Sequence, residues 1–262
     1  MKIATFVKHV PVSAVTPKIS ASRDRIEDEN LAHEVNETDL YAIEEAVHQR
    51  TQHQGSAIAI TIGVPRAKEA LHVAYARGVD QAIHVVDDTH RGGNSVVSAA
   101  AAAAVVKDLN CDAIFTGIQA DDDLLGGFGI ALAESLGLPV VTAVTGITFD
   151  PANKRATVIR ELGAGFKEEL EVDLPCVFTI QFGIRPVRYL PVMAVVKART
   201  KKIDALSLDS LNLAVDAESA KRKLRVLEFA RPESRGKCEM IEGEAADAVK
   251  QLVEALVQRG VI

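Results

Sequence analysis

The sequence predicts an α/β fold: a parallel sheet covered by helices on both faces, with an added β-hairpin region and an extended C-terminal arm ending in a helix. Three observations predict it. From residue 1 to about 145, short apolar runs of strand length alternate with segments of helical spacing. Six consecutive alanines, Ala99–Ala104, give one of those helices a surface small enough to lie close against a sheet. After Pro139 the rhythm changes to consecutive strands with short turns.

The elements follow in order. Lys2–Val7 is a strand-length apolar run, and Thr38–Arg50 places Leu40, Ile43 and Val47 at helical spacing, with Thr38 or Asn36 able to cap it. Ala57–Gly63 reads as a buried strand. Pro65 opens a helix to about Arg77–Gly78, proline being tolerated in a first turn, and Gln81–Val86 is the next strand. A helix over Asn94–Leu109 precedes the strand Asp112–Phe115, a glycine- and aspartate-rich loop from Gly117, and a helix from about Gly127 to Leu136. Val140–Phe149, Arg155–Leu162, Lys167–Val172 and Cys176–Gln181 then read as strands, the middle two a hairpin across Gly163–Gly165. Residues 183–200, with Pro186 and Pro191, read as irregular. The amphipathic segment Glu244–Arg259 closes the chain, with Val249, Leu252, Val253, Leu256 and Val257 on one stripe. The expected organisation is an α/β domain over residues 1–198 and an arm over 199–262 outside its core.

Composition narrows the function classes. At 262 residues, 48% apolar and 25% charged, the chain is ordinary for a soluble globular protein and needs no disulfide or metal to hold its core. Cys111, Cys176 and Cys238 are widely spaced and odd in number, which disfavours a disulfide framework or a structural zinc site and points to a reducing compartment, the cytoplasm. No apolar stretch approaches the roughly 18 residues of a membrane span, and MKIATFVKHV lacks signal-peptide architecture. All seven histidines fall in the first ninety residues, none in a metal-binding motif. The net charge of −6 hides an asymmetry: residues 197–237 hold eleven Lys and Arg against six acids, so that segment is +5 and the remainder −11. It is either a solvated arm or one lying on an anionic partner surface. Nucleic acid is disfavoured, because no aromatic residues interleave with the basic clusters.

There is no GxGxxG after a strand, no P-loop and no nucleophile elbow, so a Rossmann site, a P-loop triphosphatase and a serine hydrolase are disfavoured. What stands out is Gly117-Ile118-Gln119-Ala120-Asp121-Asp122-Asp123-Leu124-Leu125-Gly126-Gly127-Phe128-Gly129. It follows a strand and precedes a helix, where open α/β sheets place ligands. The N–H groups around Gly126–Phe128 sit at a helix start, favourable to an anion. The aspartates make sense if one caps a helix and another accepts hydrogen bonds from ribose hydroxyls; a plain capped turn is the competing reading.

Several stretches together resemble the β subunit of electron-transfer flavoprotein over nearly the whole chain. They are Phe6-Val7-Lys8, Asn36-Glu37-Thr38-Asp39 with Ile43-Glu44-Glu45-Ala46, Arg77-Gly78-Val79-Asp80, the Gly117–Gly129 loop, Arg160-Glu161-Leu162-Gly163, Leu174-Pro175-Cys176-Val177, Arg188-Tyr189, and Val196-Lys197-Ala198-Arg199. Val158–Glu161 and Thr179–Ile184 look closest to the subgroup serving methylamine-type dehydrogenases.

The resemblance implies an adenine nucleotide alpha hydrolase-like fold and a redox role without catalytic residues. It implies a heterodimer with an α subunit that holds most of an FAD, accepts electrons from flavoprotein dehydrogenases and passes them singly to a quinone oxidoreductase or another acceptor. A structural AMP would sit in this chain, or a second FAD in the bifurcating branch. AMP is favoured, since Asp121-Asp122-Asp123 lacks the glycine that branch places between two aspartates. Carried over by position, Asn36, Glu37, Thr38 and Asp39 would contact the nucleotide, with Phe6 and Ile62 along the adenine. Gly117, Gln119, Ala120, Asp122 and Asp123 would wrap the ribose and phosphate, and the amides of Gly126, Gly127 and Phe128 would face the phosphate. Family members carry polar side chains where this chain has Gly126-Gly127-Phe128. The partner-recognition loop would be Tyr189–Lys197, with Val192 flanked by Leu190 and Met193 as anchor, and Glu161 at the interface with the flavin domain. Alternatives are a stand-alone adenine-nucleotide-binding regulatory protein and an adenylating enzyme, the latter needing a phosphate-reactive motif that is not found.

Overall fold

The computed structural model describes residues 1–12, 16–27, 31–87, 95–211, 227–232 and 238–262. The chain lays down β1 (Lys2–Phe6), β2 (His9–Pro11), β3 (Lys18–Ile19), β4 (Ile26–Glu27), β5 (His33–Val35), α1 (Glu37–Gln52) and β6 (Ser56–Gly63). A 3-10 turn over Pro65–Ala67 runs into α2 (Lys68–Arg77), followed by β7 (Gln81–Val86), α3 (Ser95–Lys107), β8 (Ala113–Gly117) and α4 (Phe128–Leu136). Then come β9 (Val140–Asp150), β10 (Arg155–Gly163), β11 (Phe166–Asp173), β12 (Cys176–Ile180), α5 (Val192–Ala198), β13 (Asp204–Ser207) and α6 (Ala245–Gln258).

Among the described residues, nine strands form one sheet in the order β11-β10-β9-β12-β8-β1-β6-β7-β13. Strands from β9 through β13 in that order pair parallel, while β10 pairs antiparallel with both β9 and β11, which is the expected hairpin. The central strands are apolar along their length because both faces are covered. On one face Phe115, Phe149 and Phe178 pack with Ile43 of α1 and Leu71 of α2. On the other, Ile58, Ile60, Ile114 and Val177 meet α3 and α4, where Ala99, Ala102 and Ala103 allow the close approach expected of the alanine run.

Two expectations change. Residues 183–200 are not irregular throughout: Val192–Ala198 form α5, since Pro191 stays extended as its N-cap while its carbonyl accepts the Ala194 N–H at 2.9 Å. The arm does not leave the domain at residue 198, because β13 adds a strand to the sheet edge with Asp204 opposite Ile83 and Ser207 opposite Val86. Residues 212–226 and 233–237, which carry most of the arm's basic clusters, lie outside the described residues. The terminal helix forms as expected, and none of its residues is buried.

Candidate functional site

The strand order reverses at β1, with β8 and then β12 on one side and β6 and then β7 on the other. Loops leaving the carboxyl ends of β1 and β8 therefore diverge, opening the cleft that such a reversal produces. Phe6, Val7 and Lys8 line it from β1, Thr116–Ala120 from the end of β8, and Asp123 and Leu125–Phe128 from the following loop. Asn36 and Asp39 enter from the start of α1, Ile62 from β6, and Ser95 and Ser98 from α3.

Asp39 ties the two diverging strands together. Its Oδ2 accepts the Lys8 N–H at 2.7 Å and its Oδ1 the Gly117 N–H at 2.9 Å. Burial pushes its carboxyl up to about 7, against the N–H bonds and the nearby Lys8 charge that favour the ionised form. Gly117 is required by this closeness, since a Cβ there would collide with Thr38 Oγ1 and Asp39 Oδ1. Asn36 is the N-cap residue of α1, yet its side chain makes no capping bond. Instead its Nδ2 donates to Gln119 O at 2.9 Å and its Oδ1 accepts the Asp121 N–H at 2.9 Å. Thr38 Oγ1 also donates to Gln119 O, at 2.9 Å.

All three loop aspartates have internal partners. Asp121 Oδ2 accepts the Glu37 N–H at 3.1 Å, so an aspartate does cap a helix, but it caps α1 rather than the helix that follows. Asp122 Oδ1 and Asp123 Oδ2 lie 2.6 and 3.1 Å from Lys8 Nζ. Asp123 Oδ1 also accepts the Leu125 N–H at 3.0 Å. Beyond them the chain turns at Gly126, with φ +61. The N–H groups of Gly126, Gly127 and Phe128 have no partner among the described residues and α4 starts without a side-chain cap, which leaves these donors for an anion. The Phe128 ring meets Phe6 edge-on at 5.3 Å, giving the cleft an apolar wall beside its donors.

Eleven of the fourteen expected ligand residues line the cleft; Glu37, Thr38 and Asp122 instead fix its walls. Sequence reasoning did not single out Val7, Lys8, Ser95, Ser98, Thr116, Ile118 or Leu125 as lining residues. Lys8 had a signal, since it immediately follows a strand whose carboxyl end faces the site. Among the described residues no group of three or more His, Cys, Asp or Glu could hold a metal.

The expected recognition segment lies elsewhere on the surface. Tyr189, Val192, Met193 and Val196 are exposed, while Leu190 is half-buried and Lys197 is exposed. Val196, one turn from Val192, belongs to this face; it lies within the expected loop but was not singled out as an anchor. Ion pairs on two buried carboxylates, Glu44 and Glu45, hold the segment at its base. Glu44 Oε1 and Oε2 accept from Arg77 Nη1 and Arg188 Nε at 2.5 and 2.6 Å, and Glu45 Oε2 accepts from Arg185 Nε at 2.8 Å. At the other end Tyr75 Oη donates to Lys202 O at 2.5 Å. Glu161 is half-buried, with Oε2 3.5 Å from Gln181 Nε2.

The fold and cleft define an α/β protein with an open cleft at the switch point of a parallel sheet. Comparison with known proteins goes further. The electron transfer flavoprotein domain matches residues 25–211. Electron transfer flavoprotein subunit beta of Methylophilus methylotrophus is 28% identical over 259 residues, covering 98% of both chains, and that of Bacillus subtilis is 32% identical over 241 residues, covering 91% of both. The caffeyl-CoA reductase–Etf complex subunit CarD of Acetobacterium woodii is 29% identical over 266 residues, covering both chains fully. The chain belongs to the electron transfer flavoprotein family, as a β-subunit member, and its role is electron transfer.

Proposed function

We propose that this chain is the β subunit of a heterodimeric electron-transfer flavoprotein, with a structural AMP in the switch-point cleft and an FAD held mainly by an α subunit. The FAD supplies the redox chemistry, and this chain contributes placement and electrostatics, turning over no substrate of its own. The carrying observation is the pairing of N–H groups at Gly126–Phe128, unpartnered among the described residues, with the apolar wall of Phe6, Ile62 and Phe128. The first suits a phosphate and the second a purine. The uncovered stripe of α6, with Val249 60% and Val257 56% exposed, supports docking of the arm on the α subunit. The exposed face of α5 supports docking of a flavoprotein dehydrogenase. The widely spaced cysteines support a cytoplasmic setting, and among the described residues no helix is long and apolar enough to cross a membrane.

The test is to purify the native complex, denature it and chromatograph the released nucleotides. One FAD and one AMP per heterodimer are expected. Two FAD and no AMP would instead place the chain in the bifurcating branch. A colourless chain that carries nucleotide without a flavin-binding partner would favour a regulatory binding module.

A further inference from the structure

The cleft presents an electrostatic contradiction. Its free N–H donors at Gly126–Phe128 suit a phosphate, yet the same loop carries Asp121, Asp122 and Asp123 a few residues upstream, and carboxylates at such range repel an anion. The side-chain pairing resolves it. Asp121 is placed at the positive end of α1, on the Glu37 N–H. Asp122 and Asp123 both face the Lys8 ammonium, at 2.6 and 3.1 Å. Lys8 is itself fixed at the switch point, because its N–H is held by Asp39 at 2.7 Å. Burial works against its charge, but the two carboxylates outweigh burial and hold its pKa above the usual lysine value. An ammonium has three donors, so one remains beyond the two aspartates. An exposed lysine pair of this kind would ordinarily contribute little. This one links the end of β1 to a loop 114 residues later, and both line the same cleft.

We propose that Lys8 is the charge-balancing positioning residue of the cleft: by neutralising Asp122 and Asp123 it fixes the loop before Gly126 and lets the site accept a phosphate monoester in preference to the bare nucleoside. The inference rests on the nucleotide reading above. A residue acting on charge affects a phosphorylated ligand and its neutral counterpart unequally, whereas a purely structural residue affects both alike.

The test is isothermal titration of AMP and adenosine into the full chain, purified with its natural partner and freed of nucleotide. Lys8→Met is expected to weaken AMP about ten- to a hundredfold and adenosine by less than about threefold, while Lys8→Arg retains most AMP affinity. Asp122→Asn, which leaves Lys8 in place should Lys8→Met fold poorly, removes a negative charge near the anion site and is expected to raise the ratio of AMP to adenosine affinity about two- to fivefold. Equal losses for the two ligands in Lys8→Met, or a ratio of AMP to adenosine affinity unaltered by Asp122→Asn, would overturn the role of Lys8 while leaving the nucleotide reading intact. A wild-type chain that binds neither ligand would overturn both.

Discussion

Glu44 makes a quantitative demand on the fold. It is 2% exposed on α1 and serves three donors with two oxygens: Arg77 Nη1 and the Arg188 N–H on Oε1, at 2.5 and 3.3 Å, and Arg188 Nε on Oε2, at 2.6 Å. Arg77 is 8% exposed, and its Nε has no partner among the described residues, so Glu44 is its main compensation. Glu44→Gln keeps the shape but removes the charge, and whichever way the amide turns, its NH2 points at a donor. Breaking a buried pair from one side costs about 3–5 kcal/mol, nearly all of it here from Arg77. Arg188 is 57% exposed and can recover water itself, but its removal leaves the buried Glu44 Oε2 without that donor. Arg77 keeps the pair, so Arg188→Ala should cost about 1–3 kcal/mol, less than Glu44→Gln. For a chain of this size about 1 kcal/mol moves Tm by roughly 2–4 °C, so Glu44→Gln should lower it by about 6–20 °C. Thermal unfolding followed by circular dichroism, on variants prepared side by side, reads this directly. A Glu44→Gln chain melting within about 2 °C of wild type would refute the argument, because Arg77 would then be compensated by something other than Glu44.

Gly117→Ala should cost about 2–4 kcal/mol and strip bound nucleotide, because the new Cβ displaces Thr38 and Asp39 and breaks the tie between β1 and β8; unfolding in urea within 0.5 kcal/mol of wild type, on the order of a neutral surface change, would count against it. Asp39 gives a pH dependence of unusual sign. Its carboxyl is raised from 3.8 to about 7, so between those values the folded chain holds a proton that the unfolded chain has released. The stabilisation is therefore complete below pH 3.8 and is lost as pH rises to about 7, by a few kcal/mol at most. Asp39→Asn should abolish that part of the slope in urea titrations from pH 5 to 8, and an unchanged slope would assign it to another group. Val192→Ala with Met193→Ala, at positions 71% and 64% exposed, should leave stability within about 0.5 kcal/mol yet slow reduction by the donor dehydrogenase about ten- to a hundredfold at limiting concentration. Wild-type rates would make that face a bystander.

The sequence by itself determined the local elements and the place of the loop that carries the site. Apolar runs flanked by glycine and proline marked β6, β7 and the β10–β11 hairpin, because side-chain periodicity records which faces a segment must bury. It marked α6 for the same reason, and the run from Gly117 to Gly129 because glycine and aspartate there have few other uses. Only the tertiary structure decided that β1 lies between β8 and β6, which makes the end of β8 a cleft. It also brought Lys8 to Asp122 and Asp123, placed Asp121 on the Glu37 N–H, and set β13 beside β7. Those pairings join residues 84 to 115 positions apart in the cleft, beyond the reach of any local pattern. Short pieces such as α5 and β13 have too few residues to show a period, so their form is set by what they pack against: Ala198 by its burial in the core, and Asp204–Ser207 by the open edge of β7.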